Sequence, residues 1–101
     1  DYADWIIDGI DIRNVVNHRL YRQHCLREDK PETCGQQAQG FQSIKDLRLL
    51  GRDIKKTIII DNMEENFMST CPLNGIKIMD WYGDNLEDTE LLKLIPFLKA
   101  I

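Results

Sequence analysis

The most constraining feature of the sequence is the β-branched run Thr57-Ile58-Ile59-Ile60, which stops abruptly at Asp61-Asn62. A run of this kind without polar alternation is typical of a strand covered on both faces in a parallel sheet. We therefore predict a strand over 56–60. Polar residues at the carboxyl end of such a strand occupy the edge where α/β proteins carry their chemistry.

The rest of the chain alternates between helical and extended patterns. We predict helices over 2–12, 46–50 and 88–101, and strands over 17–28, 41–44 and 75–79. Residues 28–40 are polar, contain Pro31, Gly35 and Gly40, and are predicted to form an extended loop. Residues 41–44 would then be the returning arm of a β-hairpin. The sequence therefore predicts an α/β fold, as one layered domain or part of one.

Length, charge and cysteine content narrow the class of protein. The 101 residues suffice for one small domain. Thirteen basic against seventeen acidic residues give a net charge of −4, which argues against a nucleic-acid partner. The apolar runs are far shorter than the ~20 residues that span a bilayer, so no membrane-spanning segment is predicted. Three widely spaced cysteines favour a reducing compartment, the nucleus or the cytoplasm.

Asp61 and Asn62 allow two interpretations. Asx residues are common in turns that leave a strand, and this reading needs no function. Alternatively, the pair supplies ligands for Mg²⁺, which takes hard oxygen donors and only one or two protein carboxylates. The residues alone leave both interpretations open.

Lys45 is the second candidate site residue. Most lysines are solvated surface residues, and Lys45 can be one of them. It lies, however, between a predicted strand and a predicted helical turn, so its side chain can point into the same crevice as Asp61. In that position it would neutralise charge that develops on a phosphoryl group.

Two long segments resemble the late motifs of the C-terminal-domain phosphatase family of the haloacid dehalogenase superfamily. Residues 44–54 read Ile-Lys-Asp-Leu-Arg-Leu-Leu-Gly-Arg-Asp-Ile, and residues 57–62 read Thr-Ile-Ile-Ile-Asp-Asn. The resemblance continues through Asn74-Gly75-Ile76 and Trp81 to the segment 88–98. It also reaches back to Tyr2-Ala3-Asp4 and Arg19-Leu20-Tyr21-Arg22, and so covers nearly the whole chain apart from residues 28–40. The family includes small phosphatases, Dullard-type phosphatases and the translocase receptor of the mitochondrial inner membrane.

This resemblance implies a haloacid dehalogenase-like Rossmannoid layered fold and a magnesium-dependent protein phosphatase. Its substrate would be a phosphoserine or phosphothreonine protein, hydrolysed through a phosphoaspartyl intermediate. By resemblance, Lys45 stabilises the phosphoryl group, Asn62 ligates Mg²⁺, and Asp61 lies beside it in the first or second coordination shell. The nucleophile motif of the family, DxDx(T/V), does not occur in the chain. We therefore expect the chain to be the carboxy-terminal part of a phosphatase-like domain, with the catalytic first strand upstream of residue 1.

An alternative is a non-catalytic interaction domain similar to the mitochondrial translocase receptor. Catalytic members commonly carry Ser-Pro after the Asp-Asn pair, whereas this chain has Met63-Glu64. This alternative would place the protein in mitochondria. Under either interpretation, we expect the 101 residues in isolation to be catalytically inactive, because they lack the nucleophile.

Overall fold

The computed structural model describes residues 2–29 and 40–101. Two α-helices lie near its ends, and four short strands lie between them. The elements in chain order are α1 (Tyr2–Ile10), β1 (Leu26–Asp29), β2 (Phe41–Ile44), β3 (Ile59–Asp61), β4 (Gly75–Lys77) and α2 (Glu90–Ala100). The strands form two separate pairs, one antiparallel and one parallel. This mixture agrees with the predicted α/β class, whereas the haloacid dehalogenase-like layering stays a prediction.

The antiparallel pair is the predicted β-hairpin. β1 and β2 are in register from Leu26 opposite Ile44 to Asp29 opposite Phe41. The prediction of a returning arm over 41–44 is therefore confirmed. The predicted loop over 28–40 begins too early, because residues 28 and 29 belong to β1. Its residues 30–39 lie outside the described part of the chain.

The first strand of the hairpin is shorter than the predicted strand over 17–28. A 3₁₀ turn at Arg22–His24 interrupts that segment, and β1 starts only after it. His24 explains the interruption, because its Nδ1 accepts a hydrogen bond of 2.8 Å from the backbone N–H of Tyr21. Such local side-chain bonds offer the backbone an alternative to a strand ladder.

The parallel pair joins β3 to β4, with Ile59 opposite Gly75 and Asp61 opposite Lys77. The predicted strands over 56–60 and 75–79 are thus present but shorter. β3 starts late because Asp53 caps a 3₁₀ turn at Ile54–Lys56, accepting a bond of 3.0 Å from the Lys55 N–H. The prediction of burial on both faces is wrong for the described structure. Ile58 is 43% exposed, and within the described residues β3 pairs with β4 alone.

The core is small and lies beside β2 and β4. Its apolar side chains are Ile44, Leu47, Phe67 and Cys71. Gly75 at the start of β4 is required by this packing, because a Cβ there would lie 1.8 Å from the Phe67 ring. Gly51 is required differently: with φ of 69°, it ends the 3₁₀ turn Leu47–Leu50 in the left-handed region. The core therefore fixes the turn that follows Lys45.

The helix α1 is held to the chain that follows it by one group of charged and polar side chains. Arg19 donates to Asp4 Oδ1 at 2.9 Å and to Asp8 Oδ1 at 2.8 Å, and the Tyr21 hydroxyl donates to Asp4. We call these four residues the Arg19 cluster. It anchors a helix with no buried residue to the segment before the hairpin.

The terminal helix α2 starts two residues after the predicted position and runs to Ala100. Among the apolar residues at 91–101, Leu91, Ile95 and Ile101 are exposed, and Leu94 and Leu98 are half-buried. In the part of the chain that the structure describes, neither helix has the length and apolar character needed to cross a bilayer.

Candidate active site

Lys45 and Asp61 meet at the carboxyl end of β3. Lys45 directly follows β2, and Asp61 is the last residue of β3. The Lys45 Nζ lies 2.6 Å from Asp61 Oδ2. The Asp61 side chain is only 4% exposed, whereas that of Lys45 is 44% exposed. The Lys45 ammonium group therefore contacts a buried carboxylate, while the lysine side chain is partly exposed to solvent.

The Asp61 carboxylate is satisfied by several donors. Oδ1 accepts from the backbone N–H of Met63 at 2.9 Å and from Asn66 Nδ2 at 3.2 Å. Oδ2 accepts from Lys45 and, at 3.1 Å, from the same amide nitrogen of Asn66. Burial raises the pKa of Asp61, but the bonds from Lys45, Met63 and Asn66 outweigh it, and the pKa lies below its ordinary value. The group is therefore an anion at neutral pH. We call Lys45, Asp61 and Asn66 the Lys45 cluster.

Asn62 is exposed and makes a different contact. Its Nδ2 donates to Asp80 Oδ1 at 2.8 Å, and the Tyr82 hydroxyl donates to Asp80 Oδ2 at 3.1 Å. The bond from Asn62, followed by that from Tyr82, lowers the pKa of Asp80. An ionised carboxylate only accepts hydrogen bonds, so it fixes which end of the Asn62 amide faces it. The NH₂ group faces Asp80, and the amide oxygen is left as an acceptor.

These contacts determine how well the predicted residues suit Mg²⁺. Asn62 offers a hard oxygen to which no described residue donates, and this fits a magnesium ligand. Both oxygens of Asp61 already accept hydrogen bonds, one of them from an ammonium, so Asp61 fits better as a partner of Lys45 than as a direct ligand. Within 2–29 and 40–101, no three His, Cys, Asp or Glu side chains group together as metal ligands.

Lys45 also lines a cleft of about 980 Å³. Its walls include residues of β2, of the segment before β1 and of the turns that follow β2 and β3, among them Tyr21, Phe41, Met63 and Asn66. Lys45, with a side chain that is 44% exposed, can therefore be reached from this cleft. Asp61 is not among the residues that line it.

The sequence matches the model of the NLI interacting factor-like phosphatase family over residues 1–101. The chain belongs to this family. It is 42% identical over 101 residues to CTD small phosphatase-like protein 3 of Caenorhabditis elegans, covering 99% of this chain and 31% of the relative. It is 38% identical over 100 residues to CTD small phosphatase-like protein 2 of Dictyostelium discoideum, covering 99% of this chain and 15% of the relative.

A human relative has a more specific name. The chain is 36% identical over 100 residues to the human carboxy-terminal domain RNA polymerase II polypeptide A small phosphatase 2, covering 99% of this chain and 32% of that protein. The resemblance to the C-terminal-domain phosphatases is thus confirmed. The chain spans less than a third of the length of these three relatives.

Three polar residues of this family member were not predicted from the sequence. Asp80 follows β4 by three residues, and parallel strands end at the same edge, so strand order would have been a usable signal. Asn66 lies in the 3₁₀ turn Glu64–Asn66, and Gln42 lies in β2. Nothing in the spacing of Asn66 and Gln42 indicates that they meet, because their contact depends on how the turn folds back onto the hairpin.

Proposed function

We propose that this chain is part of a magnesium-dependent protein serine/threonine phosphatase that acts through a phosphoaspartyl intermediate. The observation that carries the proposal is Lys45, which lines the cleft and whose ammonium lies 2.6 Å from the buried Asp61 carboxylate. The attacking aspartate would come from outside this chain, within a haloacid dehalogenase-like layered domain.

Each site residue has a separate role in this proposal. Phosphoryl transfer depends on positioning and on stabilising the charge of the phosphoryl oxygens. Asp61 accepts one hydrogen bond from the Lys45 ammonium, and the remaining N–H donors would bind the substrate phosphate. Asn62 would hold Mg²⁺, which when bound neutralises phosphate charge. Asp61 is an outer partner that keeps Lys45 in place.

The proposed substrate is a phosphoserine or phosphothreonine on a protein. Support comes from the relatives, whose names describe phosphatases, one of them of an RNA polymerase II polypeptide. No nucleic-acid partner is proposed for a chain with a net charge of −4. The described cysteines, Cys25 and Cys71, are free thiols, which supports a reducing location in the nucleus or cytoplasm.

The test is hydrolysis of a phosphoserine peptide by the full-length protein, with Mg²⁺ and with a chelator. Lys45→Ala should lower turnover by about 10²–10³-fold, as when one preorganised stabilising group is lost. Lys56→Ala is the matched control, because Lys56 is an exposed lysine in a turn outside the Lys45 cluster. The control should retain wild-type turnover, and the isolated 101 residues should show none.

Two results would contradict the proposal. Wild-type turnover in Lys45→Ala would mean that the site is placed wrongly. A full-length protein without magnesium-dependent turnover on any phosphopeptide would favour the non-catalytic interaction domain instead.

A further inference from the structure

Asn66 uses every polar group that it has. Its side chain is buried, with the residue 9% exposed. Its Nδ2 donates to both carboxylate oxygens of Asp61, and its Oδ1 accepts from Gln42 Nε2 at 2.6 Å. Its backbone N–H donates to the Met63 carbonyl at 3.1 Å, and its own carbonyl accepts from the Lys45 N–H at 2.7 Å. Buried polar groups satisfied to this degree hold a single conformation.

These bonds connect Asn66 to both partners of the Lys45–Asp61 pair. Its side chain fixes the carboxylate, and its backbone carbonyl fixes the start of the lysine side chain. A lysine side chain has four rotatable bonds, so the position of its ammonium depends on where these two ends are held. Asn66 defines both ends at once, from the turn that follows β3.

The Asp61 carboxylate determines the orientation of the Asn66 amide. An ionised carboxylate only accepts hydrogen bonds, so the NH₂ of Asn66 must face it. The Asn66 oxygen then points the other way and accepts from Gln42 Nε2. Gln42 lies in β2, the strand that leads into Lys45, so its bond holds Asn66 from the side opposite Asp61.

We propose that Asn66 is a positioning residue of the phosphatase site, which holds the Asp61 carboxylate so that Lys45 presents its ammonium to the substrate phosphate. The proposal rests on the proposed function. Asn66 acts through Asp61 and Lys45 and needs no contact of its own with phosphate or metal. Hydrogen bonds connect Gln42 to Asn66, Asn66 to Asp61, and Asp61 to Lys45, and through them Asn66 affects the position of the ammonium.

The experiment compares Asn66→Ala with Asn74→Ala in the full-length protein. Asn74 is the matched control, because its half-buried Nδ2 also donates two bonds, to the carbonyls of Ile54 and Thr57, both at 2.8 Å. Both variants should lower the denaturant midpoint. Only Asn66→Ala should lower kcat, by about tenfold to a hundredfold with KM changed less than about twofold, as expected for a misplaced charged group.

A double variant shows whether Asn66 acts through Lys45. If it does, Lys45→Ala with Asn66→Ala should be no slower than Lys45→Ala alone, because the group being positioned is already absent. Asn66→Ser retains one hydroxyl donor for the carboxylate and should recover much of the lost kcat. If Asn66→Ala does not fold, Asn66→Ser replaces it in the kinetic comparison, with a smaller expected loss of kcat. Effects that multiply in the double variant would overturn the proposal.

A crystal structure of the Asn66 variant supplies a readout independent of activity. The Lys45 Nζ to Asp61 Oδ2 distance should increase in Asn66→Ala and stay near 2.6 Å in Asn74→Ala. If Lys45→Ala keeps wild-type turnover, the proposed function fails, whatever Asn66 does. If Lys45→Ala is slow but Asn66→Ala keeps the wild-type kcat and distance, the Asn66 proposal alone fails.

Discussion

The Arg19 cluster and the Lys45 cluster are built from the same chemistry but differ in their surroundings. Each contains one cation and a neutral donor, Tyr21 in one and Asn66 in the other, with two aspartates in the Arg19 cluster and one in the Lys45 cluster. In the Arg19 cluster all these side chains lie at least partly in water, near helix α1. In the Lys45 cluster the aspartate and the asparagine are buried, and the cation alone reaches solvent.

This difference distinguishes an exposed ion pair with a structural role, in the Arg19 cluster, from a buried and preorganised one, in the Lys45 cluster. Exposed ion pairs contribute little because water screens them and the side chains lose entropy. A buried carboxylate with several donors holds its cation in one direction instead. The Lys45 cluster also lies at the carboxyl end of β3, the location where parallel strands carry ligands and catalytic groups. The composition of a charged cluster therefore says less about function than its burial and its place on the sheet.

The same substitution in both clusters gives the largest expected difference. Asp61→Asn in the full-length protein should lower turnover by about 10²-fold, because Lys45 loses the anion that directs it. Asp4→Asn should leave turnover within about twofold, because Asp4 belongs to a partly exposed ion pair outside the Lys45 cluster. The measurement is phosphopeptide hydrolysis at saturating Mg²⁺. Equal losses in the two variants would remove the distinction between the clusters.

Asn62→Ala tests whether the end of β3 also holds the metal. Removing the amide oxygen should raise the Mg²⁺ concentration for half-maximal turnover by about tenfold or more, since it deletes the proposed ligand. Tyr82→Phe is the control, because it removes a donor to Asp80 but leaves the Asn62–Asp80 bond in place. Its Mg²⁺ concentration for half-maximal turnover should therefore shift less. A larger shift in Tyr82→Phe than in Asn62→Ala would contradict a metal role for Asn62.

Asp46 combines features of the two clusters, because it follows Lys45 in sequence but pairs with a guanidinium. Arg48 donates to it at 2.9 and 2.8 Å, and these bonds lower the pKa of Asp46 from 3.8 to about 2. The folded-state pKa lies below the unfolded one. Its stabilising contribution is therefore complete above pH 3.8 and disappears as the pH falls from 3.8 towards about 2.

Asp46→Asn should therefore make the free energy of unfolding depend slightly less on pH in the acid range. The amide oxygen can still cap the turn Leu47–Leu50, so the profile above pH 5 should change less than the profile between about pH 4 and 2. Denaturant unfolding across this range measures the effect. If the free energy of unfolding between about pH 4 and 2 is the same in Asp46→Asn as in the wild type, the pairing with Arg48 adds nothing to stability. Asp46 would then resemble the weak ion pairs of the Arg19 cluster.

Part of this structure was predictable from the sequence, and its limits are physical. The β-branched run identified the strand that ends in Asp61, and the helical pattern over 46–50 identified the turn that follows Lys45, because local backbone preference determines both. That Lys45 and Asp61 share one crevice was expected from the order of strand and turn, whereas their ion pair was not predicted. The strand over 17–28 was wrong because one His24 side chain competes with the ladder. Asn66 was missed because its partners are brought together only by tertiary contact.

The hairpin joins the segment after the Arg19 cluster to Lys45, and the smallest predicted effect concerns the connection between its strands. Replacing residues 30–40 by Asn-Gly closes β1 onto β2 with a type I′ turn, the favoured two-residue connection. Loop closure entropy changes by only about 0.6 kcal/mol per doubling of length, so the melting temperature of the full-length protein should fall by no more than about 2–4 °C, or rise slightly.

Turnover should also be retained, provided that Asp29 stays opposite Phe41. A register slip of one residue would turn Ile44 out of the core and displace Lys45. A matched Gly-Ser replacement of residues 30–39 at constant length separates loss of side chains from a slipped register. Stability lost in both replacements would mean that the segment packs against the domain. If turnover is lost only in the Asn-Gly replacement, the register of the hairpin sets the position of Lys45.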